Sequence, residues 1–536
     1  MINLRFLLAG AALCYAGQSA MLLAQDAADT ARIIDEGMNR SQVQQSAHEL
    51  LDQIGQRLTN SPNMRLAEAW ATAEMQALGL DNVHKEGFEF GRGWEMMSSD
   101  VRMVAPRALE LSAIPVAWTP GTNGTIEAEI IVAPISEVAH FEAYRGKMAG
   151  KIVLYSLPGT GDEPTSAAFS RLTSAEIGKL DEYAVPQHDP QDIARYAKRR
   201  EFALKLDDFL ASEGAVAWVK KSYRDGNLLH GSGYTYKAGK SPKLPGIEIA
   251  AEDYRRLARL ARTGPAPRLS INSNVRFVDD DTKAYNILGE IRGTDPAAGY
   301  VMAGAHFDSW AAGDGAVDNG AGSITVLEAA RILKQMGVRP RRTIRFALWS
   351  GEEQGLLGSL AYVRQHLVSR AGEDAVPADS LADEWRNLYP ITPKPGYSQL
   401  KAYFNMDNGS GKFRGIHAEG NAAAEPLLRK WMAPFADMGA STVVAGKTGG
   451  TDHVYLQAIG LPGYQFIQDP LDYFARLHHT NIDTFDHLRT DDLRQASVVM
   501  AGMLLAAAND KDTIAPMPLP QKPLDTDPFE YDYPED

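Results

Sequence analysis

Three apolar runs in the second half of this chain end on side chains that bind metals, and this pattern limits the folds open to the sequence. His306 and Asp308 end the run YVMAGAHFD, Glu352 and Glu353 end TIRFALWSGEE, and Asp407 ends LKAYFNMD. Such runs are typical of strands buried in a sheet. In open α/β sheets the carboxyl ends of the strands form the edge that carries the site. The pattern therefore predicts an α/β domain with a functional site at one sheet edge.

A glycine-rich segment between the first two runs adds another carboxylate. Asp318 opens the sequence Asp-Asn-Gly-Ala-Gly at 318–322, directly before the helical pattern SITVLEAARILKQMG. At a helix N-terminus the dipole favours a carboxylate, which can there reach two cations at once. The segment alone is typical of a turn and a helix cap, and it lacks the GxxxxGK[ST] pattern of a phosphate loop. Its place between the strand ends favours a metal site.

Histidines further along the chain supply more donors. His478 and His479 lie in the loop DYFARLHHTNIDTFDH before the closing helix, and a glycine turn at 449–453 is expected to bring His453 to the rim of the site. Taken singly, such residues are ordinary loop histidines. Together with the acids they supply the number of donors that a dinuclear centre needs. Asp308 can orient the His306 ring only if the strand end bends its carboxylate towards that ring.

Charge and cysteine content exclude several classes of protein. The 536 residues include 54 Lys and Arg against 68 Asp and Glu, and the net charge of −14 disfavours nucleic-acid binding.

Residues 1–24 are apolar and rich in small side chains, which is typical of a secretory signal cleaved near Ala24 or at Ala20. A membrane anchor is the alternative for this segment. Cys14 is the only cysteine, so the mature chain would have neither a disulfide nor a thiol ligand.

Secondary-structure patterns divide the chain into segments. Helical periodicity dominates residues 27 to about 84, β-rich runs with one helical excursion follow, and strands and helices alternate from 285. The alternation predicts an α/β three-layer sandwich with a mostly parallel central sheet, and the β-rich stretch predicts a separate inserted domain. The predicted segments are a signal peptide at 1–24, the first part of the main domain at 25–104, the insert at 105–279, the rest of the main domain at 280–511, and a flexible acidic Pro-rich tail at 512–536.

The order of these motifs resembles the M28 family of cocatalytic zinc peptidases. The segments HFDSW, GDGAVDNGAG, WSGEEQG and the DYF, HHT and DT elements of 472–484 are most similar to the carboxypeptidase Q branch of that family. The resemblance covers roughly 40–105 and 280–510, and it implies a zinc-exopeptidase fold. The insert is similar in placement to a protease-associated domain. The M20 peptidases have nearly the same ligand order, but they usually carry a dimerisation domain where this chain has only a helix and a polar loop.

The resemblance also implies a role for each candidate residue. His306 and Asp407 would hold one zinc ion, Glu353 and His479 a second, and Asp318 would bridge the two. His478 stays an alternative to His479. Asp308 would support His306, and Glu352 would be the general base. The peptide bond between Asp318 and Asn319 is expected to be cis.

The resemblance also implies a function. The protein is expected to be a secreted or periplasmic di-zinc exopeptidase that hydrolyses dipeptides or short peptides with free termini. The insert is expected to act as a lid that limits substrate length. No nucleic-acid partner is expected, and no membrane association after signal cleavage. The terminus that is recognised and a homodimer are left open. Two alternatives remain. One is a one-zinc, glutaminyl-cyclase-like aminoacyl transferase. The other is a non-catalytic binding ectodomain of the same fold, and the complete donor set argues against this second alternative.

Overall fold

The computed structural model describes residues 27–161, 165, 167–182, 192–233, 235–237, 239–377 and 381–522. The signal peptide predicted at 1–24, Cys14 and the end of the predicted tail lie outside these ranges. Among the helices that are described, none combines the length and the apolar character needed to cross a bilayer.

An eight-stranded mixed sheet forms the centre of the main domain. In pairing order its strands are Asp81–Glu89, Lys283–Ile291, Thr343–Trp349, Tyr300–His306, Leu400–Asn405, Gly463–Gln468, Phe413–His417 and Thr442–Val444. The third to sixth of these strands are mutually parallel, whereas the first two pairs and the pair formed by the sixth and seventh strands are antiparallel. The prediction of a mostly parallel sheet is therefore correct for the four central strands and for the last pair, formed by Phe413–His417 and Thr442–Val444, whereas the other three pairs are antiparallel. At the first edge the chain leaves the sheet along one strand and returns along its neighbour, which makes that pair antiparallel.

Both faces of this sheet are covered. Along the strand Tyr300–His306, Val301 and Ala303 belong to one hydrophobic core, whereas Tyr300 and Met302 belong to another on the opposite face. This alternation is expected of a strand that is buried on both sides. The first core includes side chains of the helices Pro62–Ala77, Ala321–Gln335, Glu425–Met432 and Thr490–Asn509, and the second includes side chains of Leu357–Tyr362 and Val454–Gln457. The main domain thus has three layers.

A second eight-stranded sheet lies between the first two strands of the main sheet in the sequence. Its strands, in pairing order, are Leu109–Glu110, Gly93–Ala105, Arg268–Val278, Ile126–Val132, Ile152–Leu154, Ala217–Lys221, Gly246–Ile249 and Ala113–Pro115. Two longer helices, Asp192–Ser212 and Ala251–Thr263, belong to the same stretch of chain. The sheet has a core of its own that includes Ile152, Val219 and Leu269.

Two predicted boundaries need correction. The second sheet begins at Gly93 rather than at 105, because the strand Gly93–Ala105 pairs along its length with Arg268–Val278. The predicted flexible tail also begins too early. Ile514 is 3% exposed and packs in the main core, and the Met517 N–H donates to the Gly460 carbonyl at 2.8 Å. Residues up to about 519 therefore pack against the main domain, because this Pro-rich segment contains apolar side chains that can be buried there.

Candidate metal centre and active site

Three of the five candidate donors lie at or just beyond the carboxyl ends of three adjacent parallel strands. His306 is the last residue of its strand and pairs with Trp349, so Glu352 and Glu353 emerge beside it. Asp407 follows the strand Leu400–Asn405, which pairs with the other side of the His306 strand. The pattern of apolar runs that end on acids and imidazoles therefore converges on one sheet edge, as the sequence predicted.

Asp318 lies between two histidines. Its Oδ1 is 3.2 Å from Nε2 of His306, and its Oδ2 is 3.2 Å from Nε2 of His479. The His306 Nε2 atom is also 3.4 Å from Oδ1 of Asp407, and the His479 Nε2 atom is 2.9 Å from Oε2 of Glu353. One carboxylate thus joins two groups of donors, each made of one histidine and one further acid.

These donors fit zinc. Nδ1 of His306 donates to the Asp308 carbonyl at 3.0 Å, so in the neutral ring Nε2 carries a lone pair aimed at two carboxylate oxygens. Facing lone pairs repel unless a proton or a metal ion lies between them. Oε1 of Glu353 is buried without a hydrogen-bond partner in the described residues, although such groups are normally paired. Imidazole and carboxylate are the ligands that catalytic zinc sites use.

The electrostatics of the site also favour cations. Burial opposes protonation of His306, but the nearby charges of Asp407 and Glu352 outweigh burial and hold its pKa well above the ordinary value. Burial raises the pKa of Glu353 well above its ordinary value, and the charge of Asp318 adds to this effect. The buried acids of the site thus raise one another's pKa, and a divalent ion bound among them would relieve this repulsion.

Of the two adjacent histidines, His479 is the better placed donor. Its Nε2 contacts both Asp318 and Glu353, whereas Nε2 of His478 is 3.9 Å from Asp318 and contacts no second acid among the ion pairs of the described residues. The two rings are neighbours, with centroids 3.6 Å apart. The geometry therefore favours the assignment of His479 that the resemblance implied.

Asp308 acts differently from the prediction. Its carboxylate is 3.9 Å from Nδ1 of His306, which instead donates to the backbone carbonyl of Asp308. The carboxylate accepts the N–H groups of Glu352 at 3.2 Å and Glu353 at 3.3 Å, and the hydroxyl of Thr59 at 2.8 Å. The strand end does not bend the carboxylate towards the ring. Asp308 therefore orients the histidine through its backbone and fixes the glutamate pair through its side chain.

Glu352 carries a carboxylate that no described donor holds. The residue is 9% exposed, and its N–H is held by Asp308. Burial, together with the charges of Asp407 and Asp452, raises its pKa well above the ordinary value, although His306 opposes the shift. A carboxyl group with an elevated pKa beside a metal centre suits proton transfer near neutral pH.

Two supporting residues were not assigned a role from the sequence. Asp483 accepts the N–H groups of Val317 at 2.7 Å and Asp318 at 3.1 Å, and thereby fixes the turn in which the Asp318–Asn319 peptide bond is cis, as predicted. The buried guanidinium of Arg57 donates to the carbonyls of Phe307, Asp314 and Gly315 at 2.7–2.8 Å. Asp483 lies in the quoted HHTNIDT segment, but its role was not apparent. Nothing around Arg57 distinguishes it.

The prediction that His453 lies at the rim is wrong. Its side chain is 0% exposed, and Nε2 lies 2.9 Å from the Thr448 hydroxyl and 3.3 Å from Oε1 of Glu419. The ring is buried because Thr448 of its own loop and Glu419, which follows the strand Phe413–His417, supply polar partners for Nε2. The preceding Asp452 is also buried, and burial raises the pKa of its carboxyl to about 7.

A loop of the second sheet covers the two adjacent histidines. Nδ1 of His230 donates to the His479 carbonyl at 2.8 Å, and the two rings stack with centroids 5.0 Å apart. The N–H of Leu229 donates to Oδ1 of Asn481 at 2.8 Å, and the Asn481 N–H donates to the Leu229 carbonyl at 2.9 Å. The second sheet therefore helps to hold the segment that carries His479.

Comparisons with known proteins agree with this geometry. Residues 286–504 match the profile of Peptidase family M28. Carboxypeptidase Q of Mus musculus is 26% identical over 470 residues, which cover 87% of this chain and 85% of the relative. A Peptidase M28 precursor from Shewanella amazonensis is structurally similar, with a TM-score of 0.64 at 23% identity over 92% of this chain and 99% of that one. The zinc aminopeptidase BSAP from Bacillus subtilis gives a TM-score of 0.55 at 18% identity, covering 88% of this chain and 95% of that one.

Proposed function

This chain is a zinc metallopeptidase of family M28, and we propose that it is a di-zinc exopeptidase that removes terminal residues from short peptides. The observation that carries the proposal is the position of Asp318. Its Oδ1 lies 3.2 Å from Nε2 of His306, and its Oδ2 lies 3.2 Å from Nε2 of His479. A shared carboxylate is the arrangement that two neighbouring ions need. It favours two ions over the single ion of the aminoacyl transferase alternative.

The residues that would hold zinc fall into two groups. His306 and Asp407 would bind one ion, Glu353 and His479 the other, and Asp318 both. Zinc in such a site acts as a Lewis acid towards the scissile carbonyl and lowers the pKa of water. Three protein donors for each ion leave a position open to substrate.

Glu352 would carry the proton. Its carboxylate takes a proton from the attacking water and passes it to the nitrogen of the departing amine, as general acid–base catalysis requires. Asp308 fixes the backbone N–H groups of both glutamates, so the base and the adjacent donor keep their separate directions. Burial excludes bulk water from this carboxylate and strengthens its electrostatic interactions.

The cover over the site supports action on short peptides. Residues 223–231 of the second sheet contact the segment of His478 and His479, so they form a wall beside the donors. We propose that the second sheet, as a protease-associated-type domain, limits substrate length, and that the signal-like residues 1–24 direct the chain to the periplasm or the medium. The names of the relatives include both a carboxypeptidase and an aminopeptidase, so they do not decide which terminus is read.

A peptide library tests this function. Zinc is removed with a chelator and restored, and cleavage of dipeptides and tripeptides with free or blocked ends is followed by mass spectrometry. We expect loss of terminal residues only, and only with zinc present. Efficient internal cleavage of casein would contradict the exopeptidase proposal, and cyclised N-terminal products would instead indicate the aminoacyl transferase.

A further inference from the structure

Residues 167–182 form a strap that reaches from the second sheet to the main domain. In the sequence the strap lies between the strands Ile152–Leu154 and Ala217–Lys221 of the second sheet. Its Ser170 pairs with Leu471 as in an antiparallel sheet, and the Ser170 N–H donates to the Leu471 carbonyl at 3.0 Å. Near the other end of the strap, Oδ1 of Asp181 accepts the N–H of Ala445 at 2.8 Å. The strap therefore ties the two parts of the protein together at separate points.

Arg171 joins the strap to two acids of the main domain. Its Nη1 lies 2.9 Å from Oδ2 of Asp469 and 2.6 Å from Oδ2 of Asp492. The Leu172 N–H also donates to Oδ1 of Asp469 at 3.0 Å. Both acids are buried, and a charge-assisted hydrogen bond to a buried carboxylate is stronger than one between groups in water. Arg171 is therefore the latch of the strap.

The strap can leave the main domain without exposing an apolar core. Among its described residues none is buried, and its short helix Ser174–Lys179 is capped by Thr173 rather than packed on apolar side chains. When Arg171 leaves, Asp469 keeps its hydrogen bonds from Nε and Nη2 of Arg414 at 2.8 and 2.9 Å. Asp492 lies in the first turn of a helix, where the dipole stabilises a carboxylate. Segments with few buried apolar contacts open locally at a small cost in free energy.

The segment that the strap holds leads into the metal centre. The ring of Tyr473, two residues beyond the pairing with Ser170, lies 5.1 Å from the ring of His478. Further along the same segment, His230 of the second sheet donates to the His479 carbonyl. The strap and the loop 223–231 thus hold two ends of one segment, which carries a candidate zinc donor.

We propose that the strap is a releasable closure of the active site. With Arg171 bound to Asp469 and Asp492 the second sheet is fixed over the metal centre, and release of Arg171 lets substrate enter and product leave. The loop 223–231 includes the buried apolar side chains Leu228 and Leu229, whereas the described strap has none, so the strap opens and the loop stays. The inference goes beyond the proposed function, because it needs neither a particular terminus nor two zinc ions.

A reversible disulfide tests whether the strap must open during turnover. Ser170 and Leu471 face each other as an antiparallel pair, and residues so paired lie close enough for a disulfide. Cys14, the only native cysteine, is replaced by Ser in every sample. In the double variant Ser170→Cys, Leu471→Cys, oxidation should remove most of the turnover of trialanine at unchanged zinc content, and reduction with a phosphine should restore it. The single variants Ser170→Cys and Leu471→Cys are the controls, because neither can form the bond.

Cleavage by a lysine-specific protease measures opening of the strap without any substrate. Lys179 ends the helix of the strap, and the rate of cutting after it follows the population of the open form. Arg171→Ala should speed this cut about 10-fold, which corresponds to the loss of one charge-assisted hydrogen bond, and Arg171→Lys should restore part of the protection. Arg268→Ala is the control, because Arg268 pairs with Glu127 inside the second sheet.

The outcomes separate this inference from the proposed function. Full turnover in the oxidised double variant would show that the strap need not open. Equal cutting after Lys179 in Arg171→Ala and the wild-type protein would show that Arg171 is not the latch. Either result overturns the inference, although the chain remains a peptidase. If the zinc-loaded wild-type protein cleaves no peptide, the proposed function fails instead, and the proteolysis still tests the strap.

Discussion

Replacing Asp308 by Asn tests whether this carboxylate fixes the two adjacent glutamates. The carboxylate accepts three hydrogen bonds, from the Thr59 hydroxyl and from the N–H groups of Glu352 and Glu353. The amide of Asn has the same shape but only one acceptor oxygen. In either orientation its NH2 group faces one of the two glutamate N–H groups, so one buried donor loses its partner. The Thr59 hydroxyl can rotate to compensate.

The expected cost follows from this count. One hydrogen bond to a charged acceptor contributes about 1.5–3 kcal/mol, so Asp308→Asn should lower the free energy of unfolding by about that amount. A small displacement of Glu352 should also lower kcat, by about 100-fold if the shift approaches 1 Å. Because the Asp308 carboxylate contacts the backbone N–H of Glu353 and not the side-chain atoms that would bind zinc, zinc content at saturation should stay unchanged.

Urea unfolding with chelator present measures the loss of stability, and steady-state kinetics with excess zinc measures the loss of kcat. Thr59→Val is the matched control: it removes one hydrogen bond to the same carboxylate and should cost a similar free energy of unfolding, about 1.5–3 kcal/mol, with little change in kcat. Wild-type stability and kcat in Asp308→Asn would refute the reasoning. Equal losses of kcat in both variants would show that the carboxylate acts through Thr59 rather than through the glutamate pair.

Three further predictions concern the metal and the chain ends. Elemental analysis of the active protein should give about two zinc ions per chain, and one ion with full activity would favour the aminoacyl transferase. His230→Ala should weaken zinc binding at one of the two sites by about 10-fold in a chelator competition, since it releases the His479 carbonyl; unchanged affinity would show that the loop does not position this donor. A chain that ends at 522 should melt like the full protein, whereas one that ends at 511 should lose about 1.5–3 kcal/mol with the burial of Ile514; identical melting of the two would contradict the docked segment.

Three of the five candidate metal donors could be predicted because each follows a strong local pattern. His306, Glu353 and Asp407 come at or just after the ends of buried strands, and parallel strands bring their carboxyl ends to one edge. Strand direction at the sheet edges was not predictable in the same way. That direction depends on where the chain leaves the main sheet for the second sheet, and local periodicity carries no information about this.

The supporting residues could not be found from the sequence, because their contacts span long separations. Thr59 lies 249 residues before Asp308, and His230 lies 249 residues before His479. Each is an ordinary polar residue in an irregular segment, and only the folded chain makes it a partner of the site. The burial of His453 was missed for a related reason, since one of the two partners of its Nε2 atom, Glu419, is distant in the sequence.

The most direct test of the central claim compares Glu352→Gln with Glu353→Gln, measuring kcat and zinc content on the same samples. Glu352→Gln should keep its zinc and fold while kcat falls by at least about 10²–10⁴, because the general base is gone. Glu353→Gln should lose zinc from one site and recover part of its activity when zinc is added. If Glu352→Gln loses zinc and Glu353→Gln does not, the two roles are exchanged. Full activity in Glu352→Gln would contradict the mechanism.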